Sequence, residues 1–445
     1  MNAPIADFVR AYAASGTVRL HMPGHKGVPV LGCEALDLTE ICGADALYEA
    51  EGIIGESEQN AAVLFGSGKT LYSTEGSSQC IRAMVFLTLT CRKQGAAPVI
   101  LAARNAHKAF LYALALTGAE VEWLWGEDPS SLCSCCISPA MLESALCAMK
   151  APPAAVWLTS PDYLGKTADV SALAAVCRRL EVPLLVDNAH GAYQHFQDPP
   201  QDPLAQGAAM CCASAHKTLP VLTGGAYLHL AQDAPEAFFA GARRAMELFG
   251  STSPSYLILQ SLDLCNQILA DSYPADLKET IRRIGECKDA LRTGGWQVEE
   301  SDALRIVLRG DGECIAARLR TGGVEPEFSD AEHAVLMLTP SNREEDLSRL
   351  LHALGKNDLP PFALPPVSSE KPEKVLSVRH ALFEAQEEIP VAAAPGRICA
   401  SPSVSCPPAI PIAVAGERIG VRETELFQRY RIKTVNVIRQ RSDMP

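Results

Sequence analysis

Ala213-Ser214-Ala215-His216-Lys217-Thr218-Leu219-Pro220 decides how this chain is read. The apolar run Ala208 to Ala213 has the pattern of a buried strand and delivers Ser-Ala-His-Lys to a turn, with Thr223-Gly224-Gly225 following. Thirty residues before Lys217 lies Asp187, where a second apolar run, Pro183 to Val186, ends in Asp187-Asn188-Ala189-His190-Gly191. A lysine, an aspartate and two histidines therefore stand just past the ends of two strand patterns. A lysine so placed can hold an aldehyde as a Schiff base, and an aspartate can pair with the nitrogen of a pyridine ring. Together they point to pyridoxal phosphate (PLP) as cofactor.

Upstream, the pattern alternates. A helix is expected from about Ile54 to Phe65, a strand over Lys69 to Thr74, and a helix after Glu75-Gly76-Ser77-Ser78 that continues to about Arg92. Ile81, Met84, Val85 and Leu89 give that helix one apolar face. Strands over Pro98 to Ala102, Glu120 to Trp125 and Ala154 to Thr159 alternate with helices over about 109–116, 139–149 and 170–180. A further strand is expected over Ala226 to Leu230. Continuous apolar strands alternating with helices give an α/β fold with a mostly parallel sheet covered on both faces. Ligands of such sheets bind beyond the carboxyl ends of the strands. Glu75–Ser78, His107, Ser160–Tyr163, Asp187–His190 and Ser214–Lys217 all fall there. Gly76, Ser77 and Ser78 open a helix with free amides, two hydroxyls and the positive end of the helix dipole, which suits a phosphate.

The 445 residues suffice for two or three domains. Hydrophobic residues make up 48% and charged residues 20%, a globular balance. The net charge of −13 argues against nucleic acid and anionic membrane as partners. No apolar leader follows Met1, and no run of about 18 apolar residues appears, so a cytoplasmic protein is expected. The sixteen cysteines lie mostly in apolar runs and read as reduced core residues. Cys133, Cys135 and Cys136 cluster without a second Cys/His pair at zinc spacing, so they read as a surface loop and no metal site is expected. The expected division is an arm over 1–36, a major domain over 37–275, a small α/β domain over 276–355, a proline-rich linker over 356–374 and a C-terminal domain over 375–445. The arm reads as loop rather than core. His21-Met22-Pro23-Gly24-His25-Lys26-Gly27 is either a polar loop or a segment laid across an active site.

These motifs, taken in order, resemble the Orn/Lys/Arg decarboxylases of the aspartate-aminotransferase-like (fold type I) PLP enzymes, in their short form without an extra N-terminal domain. The likeness rests on residues 21–27, on Asp37-Leu38-Thr39-Glu40, and on Arg104-Asn105-Ala106-His107-Lys108. It continues through Ser160-Pro161-Asp162-Tyr163, residues 186–191 and 214–220, Ser251 to Tyr256, and a proline-rich segment closing on Gly416-Glu417. The resemblance implies that Lys217 carries the cofactor, that Asp187 pairs with its ring nitrogen, and that His107 stacks on its face. It implies that Gly76, Ser77, Ser78, Ser214 and His216 hold the phosphate, helped by Ser251 or Thr252 of a second subunit, and that His190 lies near the ring oxygen. Lys217 or His216 would return a proton to Cα. With the protonated ring nitrogen of the cofactor beside it, the buried Asp187 carboxylate is expected to keep a low pKa. The implied reaction is decarboxylation of a basic amino acid (arginine, lysine or ornithine) by a homodimer or higher oligomer.

His25, Asp162 and Glu417 are candidates for the substrate's cationic side chain, although Asp162 and Glu417 also read as ordinary surface charges. Five positions depart from the family pattern: Glu75 for Asn, Asn188 for Glu, Cys406 for Tyr, and Gly224-Gly225 for a more polar pair. Two other readings stay open at this point. One is a different PLP reaction, such as transamination or elimination; the other is a catalytically silent relative.

Overall fold

The computed structural model describes residues 1–404 and 409–440. The chain divides into two compact units. The first holds Met1–Ala96, Ala154–Val156 and Val170–Lys278; the second holds Ala97–Pro153, Trp157–Asp169 and the chain from Glu279 on.

The elements in chain order are α1 (Pro4–Ala14), α2 (Ile53–Leu64), β1 (Lys69–Ser73), α3 (Ser77–Thr90), β2 (Ala97–Ala103), α4 (Lys108–Thr117), β3 (Glu120–Leu124), α5 (Pro139–Ala148) and β4 (Pro153–Thr159). They continue with α6 (Val170–Arg179), β5 (Leu184–Asp187), β6 (Met210–Ala213), the single turn α7 (Ala215–Thr218), β7 (Ala226–Leu230), α8 (Glu236–Leu248) and α9 (Tyr256–Ala270). The limits of α2 to α6 and of β1 to β7 fall within a residue or two of those the apolar pattern predicts.

In the first unit β5 and β6 pair in parallel, Asp187 beside Cys212, while β7 runs antiparallel to both β6 and β1. In the second unit β2 and β3 are parallel. The α/β architecture is thus mostly parallel with β7 reversed. β5 (Leu-Leu-Val-Asp) and β6 (Met-Cys-Cys-Ala) are buried along their whole length, as parallel central strands are. The parallel register sets the carboxyl ends of β5 and β6 side by side, which is why residues just past each strand meet.

The N-terminal stretch is not all loop. α1 packs on α2 and α9 and buries Ile5, Ala6 and Val9. Its first turn has no side-chain cap of its own, and the amide of Ala6 donates instead to Asp263 Oδ2 at 2.9 Å. Burial holds Asp263 up, at about 6. This contact joins residues 257 positions apart, so the local pattern could not announce it.

The second unit also carries an antiparallel four-stranded sheet, ordered Phe328–Ser329, His333–Met337, Arg305–Arg309 and Gln297–Glu299. A two-stranded ladder pairs Gln386–Pro390 with Thr434–Ile438. One apolar cluster joins Val307, Val335 and Tyr163 to Ile412, Ile419, Phe427 and Val437. Cys133 belongs to this cluster at 3% exposure, so the loop around it is not simply a surface loop. Among the described residues no helix is long and apolar enough to cross a membrane, and no group of three or more His, Cys, Asp and Glu is placed to hold a metal.

Candidate active site

The first unit brings together Gly76, Ser77 and Ser78 at the start of α3, Asp187 and His190 after β5, and Ser214, His216 and Lys217 after β6. Lys217 Nζ lies 2.9 Å from His190 Nε2. An ammonium can only donate, so with charged Lys217 the His190 ring accepts at Nε2 and keeps its proton on Nδ1. Asp187 is 2% exposed and accepts the Ala189 amide at 3.2 Å and the Cys212 thiol at 3.5 Å, both at Oδ1. Burial pushes the Cys212 thiol well above its usual range, helped by the Asp187 charge, so it stays a donor.

Burial also pushes the Asp187 carboxyl up, opposed by the Lys217 charge, the Ala189 amide and the Cys212 thiol. Removal from water outweighs one nearby cation, and a second positive charge is needed to favour the carboxylate fully. His216 is held below its usual value by burial and stays neutral. Its Nδ1–H donates to the Gly225 carbonyl at 2.9 Å, which leaves Nε2 as the acceptor nitrogen.

α3 opens on Gly76 at φ 72°, ψ 179°, without a side-chain cap, whereas α4, α5 and α9 each carry one. The Gly76 amide is tied to the Gly224 carbonyl at 2.7 Å, and the Ser214 hydroxyl donates to Ser77 Oγ at 2.9 Å. An uncapped fourteen-residue helix with three serine hydroxyls at its mouth is a donor set for a phosphate group. A buried carboxylate influenced by a lysine charge matches a cationic ring bearing an aldehyde. The residues present thus fit PLP on both counts.

Sequence reasoning missed the part played by Gly224 and Gly225, noted above only as a departure. Their carbonyls anchor Gly76 and His216. Gly224 sits at φ 101°, and a Cβ there would come 2.9 Å from the Thr74 carbonyl oxygen, so only glycine fits. Glu75, a worry beside a phosphate, is engaged: its carboxylate accepts the Ser251 amide. Asn188 donates to Gln194 Oε1 at 2.9 Å. Cys406 lies outside the described residues.

The other predicted residues are held as follows. His25 pairs within its own segment, with Nε2 3.2 Å from Asp37 Oδ2 and Nδ1 accepting the Gly27 amide at 3.0 Å. His107, in the second unit, caps α4: its Nδ1 accepts the Ala109 amide at 3.1 Å, so a neutral ring carries its proton on Nε2. Asp162 and Glu417, also in the second unit, are not surface charges. Asp162 is 4% exposed and accepts the Ser134 hydroxyl at 2.6 Å and the Lys166 amide at 2.9 Å. Glu417 is 3% exposed and pairs with Arg104 at 3.1 Å. Burial raises both carboxyls, opposed by these partners.

Residues 3–310 match the Orn/Lys/Arg decarboxylase major domain. The chain belongs to this family. An arginine decarboxylase of Bacillus subtilis is 28% identical over 457 residues, covering 94% of this chain and 91% of its own length. Among solved structures, a lysine decarboxylase of Francisella novicida superposes with a TM-score of 0.79 at 15% identity, over 98% of this chain and 81% of its own. Serine palmitoyltransferase of Sphingomonas wittichii superposes with a TM-score of 0.56 at 14% identity, over 79% of this chain and 82% of its own. These likenesses place the chain in the fold type I class. Family membership makes it an amino acid decarboxylase.

Proposed function

We propose that the protein uses PLP to decarboxylate a basic amino acid, giving CO2 and the corresponding polyamine-pathway amine. The observation that carries this reading is buried Asp187, within the field of the Lys217 charge, in one unit with Lys217 and the uncapped start of α3. The arginine decarboxylase names of the Bacillus relatives make arginine the first substrate to test, followed by lysine and ornithine.

PLP, when bound, supplies an electron sink for the pair released as the carboxylate leaves. The chain's own residues do the rest. Lys217 Nζ is the amine that would hold the aldehyde, and it would supply a proton for Cα. His190 receives a hydrogen bond from that nitrogen and orients it. Asp187 would keep the ring nitrogen protonated. Ser77, Ser78, Ser214 and the first amides of α3 would seat the phosphate. Neutral His216, its Nδ1 committed to Gly225, directs Nε2 as an acceptor or a proton relay. By the family resemblance, His107 would stack on the face of the cofactor. The division into arm, major domain, small domain, linker and C-terminal domain is part of the same reading, as are a cytoplasmic location and substrate contacts from His25 or Asp162. CO2 release from the three amino acids, with product identification, tests the reaction; a keto acid product would point to transamination instead.

Ser214→Ala should weaken PLP binding by about ten- to a hundredfold, the range for a hydrogen bond to a charged group. Absorbance titration of the PLP-free protein checks it, and an unchanged Kd would remove Ser214 from the phosphate site.

We also read the protein as a homodimer or higher oligomer. Val18, Leu20, Met22, Val28, Val30 and Leu31 are 62–89% exposed within one short segment, an unusual density of exposed apolar side chains. Light scattering on the purified protein should give at least twice the 47.6 kDa of one chain, and Leu20→Glu with Leu31→Glu should shift it toward one. A wild-type mass of one chain would overturn the reading.

A further inference from the structure

The turn between β2 and α4 is held in an unusual way. Arg104, three residues before His107, is 5% exposed. Its Nη1 donates to the Pro411 carbonyl at 3.0 Å, and its Nη2 to the Ile412 carbonyl at 3.2 Å and Glu417 Oε2 at 3.1 Å. The guanidinium lies over Trp123 and Trp125, 5.2 and 5.3 Å from their ring centres. Glu417 Oε2 also accepts the Val414 amide at 2.9 Å, so the same carboxylate folds residues 414–417 onto Arg104. At the other end of the turn the Lys108 amide donates to the Ala409 carbonyl at 2.9 Å, with Ala409 in the left-handed region at φ 59°. Asn105 Nδ2 donates to the Cys133 carbonyl at 3.2 Å. His107 is thus bracketed by anchors at 104, 105 and 108, two of them made to residues 409–417.

A buried ion pair adds little net stability, because desolvation offsets its attraction. What an arginine held by three hydrogen bonds and two aromatic rings does provide is fixed geometry. We propose that Glu417, acting through Arg104, is a positioning residue that sets the orientation of the His107 ring, and is not a contact for the substrate's cationic group. This rests on the reading of His107 as the ring that stacks on the cofactor.

The experiment is a double-mutant cycle on the full-length, PLP-loaded protein with Glu417→Gln and His107→Asn. Asparagine removes the imidazole ring but still caps α4. Glu417→Asp, which keeps the charge and withdraws it by one methylene, replaces the glutamine variant if that one fails to fold. Melting temperature reports the fold. The readouts are kcat and KM for CO2 release and the visible circular dichroism of the bound cofactor. Glu417→Gln should lower kcat about ten- to a hundredfold, the effect of a small misplacement, with KM nearly unchanged and the dichroism altered. In the His107→Asn background it should add no further loss of kcat and no further change of dichroism. Equal effects in both backgrounds would overturn the proposal while leaving His107 as a cofactor contact. A raised KM with unchanged kcat would overturn it in favour of a substrate contact. A His107→Asn enzyme with normal dichroism and kcat would overturn both the proposal and the reading of His107.

Discussion

Lys217→Ala should lower the rate of amine formation by at least about 10³-fold, the range set by removing both a covalent attachment point and a positioned proton donor. The variant should still bind PLP through the serines and amides at the start of α3, but reversibly. Borohydride reduction followed by gel filtration separates the two states: wild-type protein should retain the reduced cofactor, and the variant should lose it. The structural basis is local. Lys217 follows β6 within a single helical turn, α7, whose backbone is held by the bond from the His216 amide to the Gly225 carbonyl at 3.2 Å. Its ammonium lies 2.9 Å from His190 Nε2, so the variant should leave the surrounding backbone intact and remove only the amine. A fully active, borohydride-stable Lys217→Ala protein would mean that another nitrogen does the work.

Asp187→Asn should lower kcat by about 10²- to 10³-fold, the usual cost of one preorganised electrostatic partner of a developing charge. It should at the same time stabilise the PLP-free protein at neutral pH. The sign follows from burial, which raises the folded-state pKa of Asp187 above its unfolded value. Between the two values the folded chain binds more protons, so stability is greatest below the unfolded value and falls as pH rises through the folded one. Asparagine carries no such penalty and can still accept from the Ala189 amide. The melting temperature of PLP-free Asp187→Asn should therefore exceed that of the wild type at neutral pH, with the gap closing as pH falls into the carboxylate range. Loading with PLP should reverse the order, because a protonated ring nitrogen supplies the charge that Asp187 lacks in the empty protein. A variant less stable than wild type in the PLP-free state would show that the Lys217 charge, and not burial, dominates at Asp187.

The sheet was legible because its strands are buried on both faces. β5 and β6 read as unbroken apolar runs, and each ends on the residues that bear chemistry. Parallel pairing then brings those ends together, so Asp187 and Lys217 could be matched from spacing alone. Where a charge meets a partner far along the chain, local pattern carries no signal. Glu417 and Arg104 are 313 positions apart, and neither sequence neighbourhood says that both are buried. The same holds for Asp263 at the start of α1. Gly224 and Gly225 were visible as a turn, yet their role lies in backbone carbonyls, which every residue carries.

The measurement that tests the account most directly is the stoichiometry of CO2 and amine from carboxyl-labelled arginine, lysine and ornithine, with the PLP-loaded wild type and Asp187→Asn side by side. The account predicts equal amounts of CO2 and the matching amine from at least one of the three with the wild type, at a rate lowered about 10²- to 10³-fold in the variant. Turnover of these amino acids to keto acids without CO2, or no turnover by a protein that holds PLP on Lys217, would contradict it.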